Sequence, residues 1–243
     1  MWNHGLVGGV GQSQRADNEA LVVEEERMEE FKLGTPAVVC RWRLASKGLP
    51  LENRHLRALG AREVNGEPVS AALVAWAKQH IEWTLTEGAY AHPDGLLMLV
   101  IDKEGKAAMT VGSYRPLARC AANDLLVRAC NGSKEAEATR VSPEDLWVVR
   151  KNVLVWGTNP EYRPSGASSL VADLARTLGM PVKRDEDLLD RLLYQGFLDD
   201  EVFLVSDEHG VVVASDRSGA RAQKFAQSYQ KLLKKQSNAS GMH

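Results

Sequence analysis

Four times along the 243-residue chain, two short apolar runs flank a polar turn, and a helix-like stretch follows. Strands that reverse this tightly pair antiparallel, and the helices between them must cover the sheets so formed. The parallel βαβ folds are therefore unexpected, and the chain carries neither a Gly-x-Gly-x-x-Gly nor a Gly-Lys-Ser/Thr sequence that would argue for them. The expected fold class is α+β, with hairpins alternating with helices.

The first unit runs from Val38 to Leu51, where Val39, Arg41 and Arg43 alternate with Cys40, Trp42 and Leu44 before a Ser46-Lys47-Gly48 turn. The second, Leu96 to Val111, turns at Asp102-Lys103-Glu104-Gly105, with glycine where a left-handed residue is needed. The third, Leu146 to Trp156, turns at Lys151-Asn152, and the fourth, Glu201 to Ser215, at Asp207-Glu208-His209-Gly210. Its runs are apolar throughout, as in strands buried on both faces. Asp207, Glu208 and His209 read as an exposed turn. Ser70 is placed to cap a helix ending near Gly88, Asn123 or Asp124 to open one ending near Thr139, and Ser165 to Ser169 to open one stopping at Gly179. A short strand at Met180 to Val182, a helix from Asp185 to Tyr194 and a last helix from Ala220 to Lys235 follow. The break from Val111 to Ala122, with Gly112 and Pro116, divides the chain into a smaller lobe over 35–117 and a larger one over 118–235. Residues 1–34 read as a polar extension and 236–243 as a tail.

A net charge of −2 from nearly balanced signs offers no broad basic surface, so neither nucleic acid nor an anionic membrane is an expected partner. Three cysteines without a Cys-x-x-Cys pair suit a reducing, cytoplasmic compartment. Histidines 55, 80 and 92 lack partners at metal-ligand spacing, so no metal site is expected.

Three segments carry a family likeness: ENRHLRAL at 52–59, SGASSLVADLARTLGMPVKR at 165–184 and LDDEVFLVSDEHGVVVAS at 198–215. In order and spacing they resemble the class IV pyridoxal phosphate family, which includes branched-chain and D-amino acid aminotransferases and aminodeoxychorismate lyase. The resemblance implies two lobes, pyridoxal phosphate as cofactor, amino-acid substrates and a homodimer. It also implies a lysine that forms a Schiff base, because an amine of lowered pKa exchanges with the substrate amine. The matching position is Ala122, and alanine cannot do this. The arginine that grips the cofactor phosphate falls on Ala58, with Arg57 one place early and turned by roughly 100° on a helix. The glutamate that pairs with the pyridine nitrogen falls near Trp156. The phosphate cup corresponds to Ser206, followed by Asp207 and Glu208, whose carboxylates would repel a dianion.

The expectation is a divergent class IV aminotransferase-like protein without covalent cofactor chemistry, a non-catalytic or binding relative. An active transaminase or carbon–nitrogen lyase would need its lysine displaced to Lys106 or Lys134. A third reading, a small-anion binder without pyridoxal phosphate, would use Arg57, Ser165, Gly166, Ser168 and Ser206, since backbone amides and hydroxyls gather at a helix start there. No substrate follows from these residues.

Overall fold

The structure, a computed structural model, describes residues 32–198 and 200–240, without the side chains of 235–240. The expected extension over 1–34 lies almost wholly outside the described residues. Strand β1 (Pro36–Arg43) buries Val38, Cys40 and Trp42 and turns Arg41 outward, as its period of two requires. Its partner is not the run beyond the Ser46–Gly48 turn, which closes only an isolated bridge between Ala45 and Gly48. Pro50 has no N–H to give a ladder, and Leu51, at a φ of 61°, leaves the strand region to start helix α1 (Glu52–Leu59). The first expected hairpin is thus a strand and a tight turn. β1 pairs instead with β4 (Leu96–Asp102), Cys40 opposite Leu99 and Trp42 opposite Leu97, and β4 turns back into β5 (Ala107–Gly112). Gly105 takes a φ of 81° in that turn, and the Asp102 carboxylate accepts from the Gly34, Glu104 and Lys106 amides.

Between β1 and β4 lie a ribbon, β2 (Glu63–Val64) and β3 (Glu67–Pro68), and helix α2 (Ala71–Gly88). Ser70 caps α2 by accepting from the Leu73 amide at 3.1 Å. Ala77 and Ile81 from α2 join Trp42, Leu97, Leu99 and Ile101 in one core. No apolar run marks the ribbon, whose strands are two residues long, although Asn65-Gly66 is a strong turn signal.

Residues 113–121 lead to helix α3 (Ala122–Thr139) and a second sheet. Its strands are β6 (Glu144–Arg150), β7 (Val153–Gly157), β8 (Val182–Arg184), β9 (Glu201–Ser206) and β10 (Gly210–Val213), in the order β10-β9-β6-β7-β8. Among these described strands only β7 and β8 run parallel. Helices α4 (Gly166–Thr177) and α6 (Ala220–Ser240) cover the face carrying Trp147, Val149 and Phe203. Helices α3 and α5 (Leu188–Gln195) cover the face carrying Leu146, Val148 and Leu204. Burial on both faces is why β6 and β9 are apolar without alternation. Helix α6 runs on to Ser240, past the Lys235 at which its sequence pattern stops. Helix α1 spans both cores: Leu56 and Leu59 pack with the first, while Arg54 reaches Ser169 and Asp173 of α4 at 3.0 and 2.8 Å.

Candidate functional site

The two sheets meet where β1 runs beside the β9–β10 turn, and the Arg43 amide donates to the Asp207 carbonyl at 3.1 Å. A cleft of about 220 Å³ opens there, walled by Arg41, Arg62, Arg128, Glu135, Glu144 and Glu208 and bordered by Ser206 and Asp207. Each arginine faces a carboxylate. Arg62, 3% exposed, pairs with Glu135 at 3.1 Å; Arg128 pairs with Glu144 at 2.7 Å; Arg41 lies 4.0 Å from Glu208. No lysine is among the described residues that line this cleft. Lys106 sits in the β4–β5 turn and Lys134 on α3, both exposed. A second cavity, of about 600 Å³, lies on the other side of His209 and is bordered by Arg43, Tyr114, Tyr229 and the exposed Lys234.

The β9–β10 turn is the opposite of the exposed turn that its Asp-Glu-His-Gly sequence suggests. Asp207 is 7% exposed and the His209 side chain 4%. His209 lies between Arg128, whose Nη2 is 3.2 Å from Nε2, and the Tyr114 hydroxyl, 3.3 Å from Nδ1. Burial pushes its pKa down to about 4, so it is neutral at pH 7: Nε2 accepts from Arg128 and Nδ1–H faces Tyr114. The turn is buried because β1 and α3 close over it, a contact between distant segments that no local pattern announces.

Behind Asp207 is the start of α4. The Asp207 Oδ1 accepts from the Ala167 amide at 2.7 Å, and Oδ2 lies 3.4 Å from Nδ1 of His55, a buried ring stacked on Trp42. That Nδ1 has no well-aligned hydrogen bond. Gly166 is required here, since a Cβ would overlap the His55 ring. Burial works to raise the pKa of Asp207, but His55, the Ala167 amide and Arg62 outweigh it and hold the carboxyl below its usual range. Asp145, wholly buried on β6, has the reverse balance: burial raises it to about 7, against the hydrogen bond from Ser168, whose Oγ makes a very short contact with it.

The sequence-derived anion residues therefore find protein partners. Ser165 caps α4 by accepting from the Ser168 amide at 3.2 Å, and Ser168 Oγ donates to Asp145. Ser206 Oγ accepts from the amides of Glu208 and His209, both at 3.1 Å. Arg57 is exposed and its Nε donates to the Asn53 carbonyl of its own helix, so it is not brought to the group. Ala122, at the position matched to the lysine, is 1% exposed and its amide donates to Asp216 at 2.8 Å. Trp156 is in the core, stacked on Trp147 at 4.5 Å, with the Arg184 guanidinium over its outer side. The start of α4 is filled by the Asp207 carboxylate, and the Ala122 side chain offers no amine. His55, Asp145 and Asp207, outside the set of anion-holding residues expected from the sequence, are all buried here. The only local signal for this was the repetition of hydroxyls and carboxylates at segment ends.

No protein-family model matches the chain, and no curated protein does. Solved structures do. A candidate 4-amino-4-deoxychorismate lyase aligns at a TM-score of 0.56 with 15% identity, covering 82% of this chain and 95% of the other. A hypothetical aminotransferase from Mycobacterium tuberculosis, in its apo form, aligns at 0.54 with 13% identity over 81% and 88%. A T.th. branched-chain amino acid aminotransferase with pyridoxamine 5'-phosphate aligns at 0.50 with 13% identity over 85% and 90%. Such identities establish architecture and nothing finer. With its two sheets and their covering helices aligned across four fifths of its length, the chain has the fold of the class IV aminotransferase-like proteins.

Proposed function

We propose that this chain is a non-catalytic relative of the class IV aminotransferases and lyases, a binding or assembly module that uses the fold without Schiff-base chemistry. The observation that carries the reading is Ala122, a methyl group buried at the start of α3 with its amide committed to Asp216, in a chain whose inter-sheet cleft has no lysine among its described lining residues. Without an amine there, an aldehyde cofactor has no tether and the substrate no partner for exchange. On the same resemblance the protein works as a cytoplasmic homodimer that engages a small ligand non-covalently.

The test is to incubate purified protein with pyridoxal phosphate, reduce with borohydride and map adducts by mass spectrometry. Scattered substoichiometric labelling of exposed lysines is the expected result. A single stoichiometric pyridoxyl-lysine, together with an aldimine absorbance band, would sink the proposal and restore an active enzyme. Lys234, at the rim of the second cavity, is the described lysine to inspect first, then Lys106 and Lys134.

A further inference from the structure

We propose that the Asp207 carboxylate is a built-in anion: it occupies the oxyanion seat at the start of α4 and closes that seat to phosphate, which removal of the carboxylate would readmit. A helix start favours a negative group because its first amides point outward unpaired and the helix dipole is positive there. In this chain the favour is used internally. One carboxylate oxygen takes the Ala167 amide at 2.7 Å, and the other faces His55 Nδ1 at 3.4 Å. His55 is the independent sign that the seat is built for an anion. It is 2% exposed, aimed at the same point, and its Nδ1 has no aligned hydrogen bond. Arg62, 3% exposed, adds positive potential from the adjoining cleft.

The geometry also explains why the seat is closed rather than shared. Asp207 belongs at once to the seat and to the wall of the 220 Å³ cleft, so trimming its side chain would expose the Ala167 amide to the cleft. A phosphate reaching the seat in the wild type would meet a buried, ionised carboxylate within contact distance, a like-charge encounter that burial makes severe.

The experiment is a titration with inorganic phosphate followed by amide NMR and calorimetry, on wild type, Asp207→Ala and Asp207→Asn. The wild type is expected to keep its Gly166, Ala167 and Ser168 amide signals unmoved. Asp207→Ala should gain saturable binding, with affinity up by about tenfold or more and shifts centred on those three amides. Asp207→Asn, which fills the same space, should gain far less. Saturable shifts of the three amides in wild type would overturn the proposal, as would a folded Asp207→Ala protein that binds no better than wild type. If Asp207→Ala does not fold, the wild-type titration still decides whether the seat is closed. Inorganic phosphate has no aldehyde, so this readout is independent of whether any lysine reacts with pyridoxal phosphate.

Discussion

Asp145 and Asp207 are both buried carboxylates of one polar group, yet their surroundings push them in opposite directions. Asp207 faces an imidazole, an amide and a guanidinium and stays ionised; Asp145 is raised to about 7 by burial and by the like charge of Asp207, against the Ser168 hydroxyl that donates to it. The linkage sign follows. A carboxyl whose folded pKa exceeds the 3.8 of an ordinary aspartate favours the fold most at low pH and loses that contribution as pH rises through about 7. Asp145→Asn removes the loss. Relative to wild type the variant should gain roughly 2–3 kcal/mol between pH 5 and pH 8, read from denaturant midpoints at the two pH values. A difference that does not change with pH would show Asp145 to be ionised throughout. The pair was not legible in the sequence, since Asp145 stands just before the expected strand at Leu146 and its partner Ser168 lies 23 residues away on α4.

The elements were far more legible than the side-chain partners. Ser70 and Ser165 cap the helices they were expected to cap, Gly105 and Gly210 take left-handed φ values, and Lys151 and Asn152 both turn positive, as a tight hairpin demands. Helix α3 marks the boundary of this kind of reading. Its expected cap, Asn123 or Asp124, falls inside the helix, and the first amide is held instead by Asp216, 94 residues away. Packing also overrides propensity in α3. Alanine at Gly132 would gain about 1 kcal/mol of helix propensity in isolation. Here its Cβ would stand 2.5 Å from the Glu144 carbonyl oxygen and 2.8 Å from Ser142 Oγ, so α3 could not lie against β6. Gly132→Ala should therefore lower stability by about 1–3 kcal/mol, measured by thermal or chemical unfolding, and an increase would mean that α3 shifts freely.

At the scale of the molecule, the contact between the sheets depends on a neutral imidazole. His209 joins Arg128 of α3 to Tyr114 in the connection, and Arg43 of β1 lies over the Tyr114 ring at 3.3 Å. Burial, then Arg128, Arg43 and Arg41, depress its pKa to about 4, while Glu144 opposes them. A histidine with a depressed folded pKa costs stability as pH falls below its ordinary value of 6.5, the reverse of Asp145 over an overlapping window. The contributions of Asp145 and His209 should thus offset each other from about pH 4 to about pH 6.5. Replacing His209 with Gln should leave the Asp145 effect uncompensated, so that stability declines as pH rises; a parallel curve would remove His209 from the balance. What the sequence determined is what local chemistry can encode: where strands reverse, where helices start and stop, and which faces are apolar. Tertiary structure alone decided that β1 pairs with β4, that a turn written Asp-Glu-His-Gly is buried, and that an aspartate fills the start of α4. Strand pairing and burial are set by segments far apart in the chain, and a charged residue carries no local mark of whether water or protein will surround it.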